Sequence, residues 1–235
     1  MSARVRESLD LPVDTMKAIL TLFPTLLFLV APPEISWVTS ELTRKDWYVM
    51  SAYYPQFRGN GVARLASQGV REAANTRLSS FQKNASMSSS RPQRPWSVKW
   101  KGTVSAATDR YVSVLATCEY DTGGVRPNRD AIRLNYAIKA GVARKINLAD
   151  LMVVRADPTG FASDLLLPKL TVMGVSGVAS GTVTRLTTAQ ADNFVMTPAG
   201  IAWIFNPGEI GSYEEGTIIA KFTWMELEGR VTKDL

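Results

Sequence analysis

The chain has 235 residues, and 27 Lys and Arg against 21 Asp and Glu give a formal net charge of +6. That length accommodates one large domain or two small ones. Histidine is absent, which excludes Ser–His and Cys–His catalytic dyads and histidine-containing zinc sites.

The basic excess is mild. It favours an anionic partner, such as a charged polymer or headgroups, but there is no run of five basic residues and no RNA-binding aromatic motif, so nucleic acid is not expected. The single cysteine, Cys118, cannot form an internal disulfide. It alternates with Val112, Val114 and Ala116, and reads as a small core hydrophobe. No basic residue stands beside it in sequence to activate it as a thiolate.

Met16-Lys17 precedes an apolar run from Ala18 to Ala31, and Pro32-Pro33-Glu34 follows. The run is shorter than the roughly 20 residues that span a bilayer, but it matches the apolar region of a secretory signal peptide starting at Met16. Residues 1–31 are therefore expected to be a leader, with Met1 to Thr15 as an upstream extension. The alternatives are an uncleaved membrane anchor and a buried helix. A leader implies a periplasmic or secreted protein, touching membrane only if the leader is retained.

In chain order, Trp47–Tyr54 is rich in aromatic and β-favouring residues and reads as a strand, ended by Pro55 and Gly59-Asn60-Gly61. Val62, Leu65, Ala66, Val70, Ala73, Ala74, Leu78 and Phe81 recur at helical spacing, predicting a helix from Val62 to about Ala85. Gly69 weakens that helix by about 1 kcal/mol relative to alanine. Met87–Pro95 is a loop by composition. In the strand that follows, Trp96, Val98 and Trp100 share one face and Ser97, Lys99 and Lys101 the other, with the lysines suiting a sheet edge. Tyr111–Tyr120 and Ala131–Ala140 are further strands, the second placing Ile132, Leu134, Tyr136 and Ile138 on one face. Asn147 caps a helical turn, and Phe161–Leu170 is a short helix with Pro168 near its end. Thr187 or Thr188 caps another helix towards Phe194. Gly200–Phe205 and Thr217–Phe222 are the last strands, separated by a turn at Asn206-Pro207-Gly208. The order predicts an α+β fold: a mostly antiparallel sheet, one long N-terminal helix, and short helices packed on it. Residues 32–235 are expected to form one domain in two halves, about 45–120 and 121–230.

The densest local signal is Glu119-Tyr120-Asp121-Thr122-Gly123-Gly124-Val125-Arg126-Pro127-Asn128-Arg129, between two predicted strands. Its double glycine offers positive φ, Pro127 stiffens the exit, and Asn128 can bond its own backbone. A strand follows it, whereas a phosphate-cradling loop would open a helix.

Three stretches together resemble the extracytoplasmic domain of RsiV-like anti-sigma factors, which is also found in some peptidoglycan deacetylases. Tyr120–Asn128 is similar to the family's Tyr-x-x-Gly-Gly-Ala-His-Pro-Asn. Asn135–Leu151 looks like its strand, Gly-Lys turn and Leu-x-Asp-Leu-Phe helix. Phe205–Gly216 resembles Phe-x-Pro-Tyr-Glu-Ile-x-x-Tyr-x-x-Gly. The chain departs from the pattern at Val125-Arg126, where relatives carry Ala-His, and at Gly208, where they carry tyrosine. The resemblance covers about residues 45–230.

It implies a non-enzymatic envelope module that binds a lysozyme-like protein, peptidoglycan or another anionic wall polymer, without a cofactor or metal. The implied ligand-binding candidates are Tyr120, Arg126, Asn128, Arg129, Glu209 and Tyr213, with Arg91 and Arg94 as further anion contacts. Two other readings stand beside it. Glu119 with Asp121, or Glu209 with Glu214, would serve as the carboxylate pair of a wall hydrolase. The third reading is a purely structural envelope protein.

Overall fold

The computed structural model describes residues 31–88, 92–124, 126–154 and 157–232. The expected leader up to residue 30, Arg91 and Val125 lie outside the described residues.

Among the described residues, two sheets and five α-helices form the fold. The first sheet has six strands in the order β1 (Glu34–Arg44), β2 (Tyr48–Arg58), β3 (Trp96–Ala107), β4 (Tyr111–Asp121), β5 (Asn128–Lys139) and β6 (Val142–Lys145). Every neighbouring pair is antiparallel except β2 with β3. That parallel pair needs a crossover, and helix α1 (Gly61–Met87) supplies it. The second sheet orders β7 (Phe194–Thr197), β8 (Gly200–Phe205) and β9 (Ile218–Thr223), all antiparallel. Along the chain between β6 and β7 come α2 (Leu148–Leu151), α3 (Pro158–Val172), α4 (Ser176–Ala179) and α5 (Thr188–Ala191). The class is α+β with mostly antiparallel pairing.

Helix α1 lays Val62, Ala63, Ala66, Val70, Ala74, Phe81 and Ala85 on one face of the first sheet. Alanines let the helix axis approach the strands, and Phe81 fills the far end edge-on to Tyr48, with ring centroids 6.3 Å apart. Asn60 caps the helix by accepting from the Ala63 N–H at 3.2 Å. Val98, Trp100, Val112, Val114, Ala116 and Cys118 face this helix and are buried. Burial pushes the Cys118 thiol up to about 11, so it stays protonated at neutral pH, in keeping with a core role.

The opposite face of the first sheet is covered at one end only. Val195, Ala202 and Ile204 of the second sheet rest on Ala131 and Leu115. The other face of the second sheet, with Phe194, Trp203, Phe205 and Phe222, forms a separate core with α2, α3 and α5. Alternation along β8 thus feeds two cores at once, which is why all six of its residues are buried.

Three sequence readings change, and the structure adds a strand that the sequence pattern does not mark. Glu34–Arg44 is a strand, although nearly every residue in it is exposed and its apolar spacing is irregular. As an edge strand it has one partner and no covered face, so it leaves no alternation to read. Pro55 does not end β2. Pairing with β3 stops at Tyr53, and beyond it β2 has only β1 as partner, where a missing N–H is tolerated. There Ser67 on α1 satisfies Phe57: its hydroxyl accepts from the Phe57 N–H at 2.6 Å and donates to the carbonyl at 2.8 Å. Strand β3 is central, not an edge, so Lys99 and Lys101 are exposed because their face of the sheet is uncovered. Finally, the helix around Phe161–Leu170 runs Pro158–Val172, with Pro168 inside it.

Candidate functional site

The turn between β4 and β5 and the segment from Pro207 to Thr217 meet in space. Glu119 and Arg129 face each other across the β4–β5 ladder, and the Arg129 guanidinium donates to the Glu119 carboxylate at 2.5 Å. Asp121 closes the start of the turn. It accepts from the Gly123 N–H at 2.9 Å, and Arg94 reaches it at 3.1 Å. Gly123 has φ 89, so its place needs glycine; Gly124 does not show positive φ.

After β8 the chain turns at Pro207 and enters a single 3-10 turn, Tyr213–Glu215. The Tyr213 hydroxyl donates to Asn128 Oδ1 at 2.8 Å, joining residues 85 positions apart. Between the two segments lies an open depression of about 400 Å³, lined by Glu119, Arg126, Arg129, Pro207, Tyr213 and Glu214, among others. Arg126 is exposed and makes no ion pair among the described residues. Of the six expected ligand residues, Arg126, Arg129 and Tyr213 line this depression, and Asn128 holds its tyrosine.

Tyr120 and Glu209 sit elsewhere. Tyr120 lines a separate cavity of about 250 Å³ towards α1, with Arg77, Phe81, Trp96 and Cys118. Burial and then the Asp130 carboxylate push its phenol upward. Glu209 fastens the second sheet to the first. Its carboxylate accepts from Asn193 Nδ2 at 2.6 Å, from the Asn206 N–H at 2.5 Å and from Arg133 at 3.3 Å. Asn206 in turn accepts from the Ala131 N–H at 2.6 Å, on β5. Burial pulls the pKa of Arg133 downward against the pull of Glu209. Sequence reading missed Arg133, Asn193 and Asn206, because nothing in their local context signals a contact between distant segments.

Three of the four carboxylates in the proposed pairs are engaged by other side chains. Glu119 is held by Arg129, Asp121 by Arg94, and Glu209 by Arg133 and two asparagines, while Glu214 lines the depression. Among the described residues no group of three or more Cys, Asp or Glu side chains is placed to hold a metal ion.

Glu215 bounds the 3-10 turn and ties it to α4. It accepts from the Ser176 hydroxyl at 2.6 Å, the Ser176 N–H at 2.9 Å and the Ser212 N–H at 2.5 Å. The Ser176 hydroxyl, then its N–H, pull this carboxyl below its usual range. A depressed carboxyl stabilises the fold above its unfolded pKa, and that contribution disappears as pH falls through the folded value. Glu215→Gln is therefore expected to lower the melting temperature at pH 7, with the gap to the wild type closing on the acid side. Parallel thermal melts at pH 7 and pH 3 measure this; a gap unchanged at pH 3 would contradict it.

Residues 176–225 match the family model described as "Protein of unknown function (DUF3298)". No curated protein matches the sequence. Among solved structures, a DUF3298 family member from Bacteroides fragilis is similar at TM-score 0.59 and 13% identity, covering 87% of this chain and 96% of that one. A DUF3298 family protein from Pseudomonas aeruginosa is similar at TM-score 0.55 and 13% identity, over 86% of this chain and 95% of its own. At such identity the likeness is one of fold. The segment that carries Pro207, Glu209 and Tyr213 thus matches the DUF3298 model, on a fold shared with solved DUF3298 proteins.

Proposed function

We propose that this chain is a non-enzymatic binding module of the cell envelope, similar to the sensor domain of RsiV-like proteins, acting in the periplasm or after secretion. Its ligand is a cell-wall glycan or an envelope protein, seated in the depression between the β4–β5 turn and the 3-10 turn. The observation that carries this reading is the meeting of the two motif segments there, with Tyr213 hydrogen-bonded to Asn128 and Arg126 left without an acidic partner among the described residues. Arg126 and Arg129 offer planar donors suited to carboxylates or phosphates. In each carboxylate pair a hydrolase would need, at least one member (Glu119 and Asp121 in the first, Glu209 in the second) is bound to arginine or amide groups, which favours binding over catalysis.

The test is binding of the purified protein to peptidoglycan and to lysozyme side by side. Saturable binding to one is expected. Losing one charge-assisted contact is worth about 1.5–3 kcal/mol, so Arg126→Ala should weaken binding by about 10- to 100-fold. Failure with both ligands, or full affinity in Arg126→Ala, overturns this reading.

A further inference from the structure

The proposed binding site has an extension that the motif segments do not include. Outside the region covered by the second sheet, the face of the first sheet opposite α1 is open. Two strand-register rows cross it. One runs from Ser51 on β2 through Lys99 and Glu119 to Arg129; the next runs from Tyr53 through Lys101 to Thr117. Four strands at about 4.8 Å spacing make the first row about 14 Å long. It ends at Glu119 and Arg129, which also line the depression beside Arg126.

Two features of this face call for a ligand of particular chemistry. Trp37 on β1 and Tyr53 on β2 lie flat on each other, centroids 4.8 Å apart and planes 3° from parallel, while remaining 45% and 39% exposed. Each ring holds the other in place, so the pair is a rigid aromatic plate standing in water. Such a plate suits the flat C–H face of a sugar ring. Lys99 and Lys101 are exposed and make no ion pair among the described residues. Two acidic residues share the first row: Glu119, engaged by Arg129, and Glu41 on β1, across Ser51 from Lys99. Over the two rows, Lys99, Lys101 and Arg129 stand against Glu41 and Glu119, a net charge of +1, with Lys101 in register beside Tyr53 of the plate.

We propose that this open face is the ligand track of the binding module: an acidic polysaccharide lies across the strands, one sugar ring on Trp37 and its carboxylates against Lys99 and Lys101, leading to Arg126. This deepens the reading above and rests on it. A protein partner fits the face less well. Stable protein interfaces bury about 800 Å² per partner around an apolar centre depleted of charge, whereas here one plate is flanked by lysines.

Tetragalacturonate, a defined uronic-acid oligosaccharide, is the probe, with neutral maltotetraose as its control and calorimetry plus tryptophan fluorescence as readouts. The wild type should bind tetragalacturonate at least tenfold more tightly than maltotetraose. Trp37→Ala should weaken binding at least tenfold. Lys99→Ala with Lys101→Ala should weaken it by a similar factor and flatten its salt dependence. All three side chains are exposed, so the variants should fold, and circular dichroism confirms it. Equal binding of both sugars, or unchanged affinity in Trp37→Ala and in the double lysine variant, overturns the proposal. If the protein binds peptidoglycan or lysozyme, Arg126→Ala loses that binding and Trp37→Ala does not, the module reading stands and this extension fails. Loss of binding to all three ligands sinks both.

Discussion

Asn135→Leu is expected to destabilise the fold by about 3–5 kcal/mol, the largest effect foreseen for a single polar side chain here. Asn135 and Ser113 pair across β5 and β4, and both are buried. The Ser113 hydroxyl donates to Asn135 Oδ1 at 2.6 Å, and Asn135 Nδ2 donates to the Phe194 carbonyl at 2.8 Å. The Met196 N–H donates to the Ser113 oxygen at 3.0 Å. These two side chains thus hydrogen-bond the second sheet, through β7, to the first. Leucine would leave the Ser113 O–H without an acceptor and the Phe194 carbonyl without the Asn135 donor in a site closed to water, at about 1–3 kcal/mol each, beyond any strain from its shape. For a domain of this size the melting temperature should fall by roughly 10 °C. Urea unfolding and calorimetry measure it, and a loss below about 1 kcal/mol would refute the role. Combining Ser113→Ala with Asn135→Leu should cost less than the sum of the single changes, because the two share one network. The functional consequence is direct: the second sheet leads into Tyr213, so loosening it should also loosen the Tyr213–Asn128 contact.

Gly69→Ala should destabilise by about 2–3 kcal/mol. Helix propensity alone argues the reverse, since alanine gains about 1 kcal/mol over glycine within a helix. Packing decides the sign. A Cβ at position 69 would lie 1.8 Å from the Tyr136 hydroxyl and 2.6 Å from its ring carbon Cζ. Tyr136 is 4% exposed in the core under α1, and cannot swing away without opening that core. Its burial also pushes the phenol up to about 12, so the hydroxyl is neutral across the ordinary pH range. Adding Tyr136→Phe should recover part of the loss, because it removes the closest atom but leaves Cζ in the way. A stabilised Gly69→Ala variant in denaturant unfolding would show that the helix can shift and that propensity wins.

The two groups of residues behind these effects differ in how they announce themselves. Local periodicity was enough for α1, β4, β5 and the face of β3 that carries Trp100, because each buries one face against a large neighbour, even though β4 and β5 also meet the second sheet on the other. Side-chain capping was equally readable: Asn147 and Thr187 accept from the N–H groups of Asp150 and Gln190 at their helix starts. Strands β1, β6 and β7 were not legible. The first is exposed on both faces, and the other two are four residues each, too short for a period to register.

The candidate site divides in the same way. The turn from Glu119 to Arg129 stands out in sequence because glycine, proline and asparagine have local conformational reasons to cluster. That Asn128 receives Tyr213, that Glu209 serves Arg133 and Asn193 and lies away from the depression, and that Tyr120 faces α1 all depend on which strands pair and which face each side chain takes. Gly69 shows the limit most sharply. Sequence alone marks it as a weak point of a helix; the approach of Tyr136, from a strand more than sixty residues away, makes it a requirement. Charge, the absence of histidine, and the helix and strand periods are determined residue by residue along the chain. Contacts between distant segments are decided only when the tertiary fold closes, because their energies arise from neighbours that sequence order does not place together.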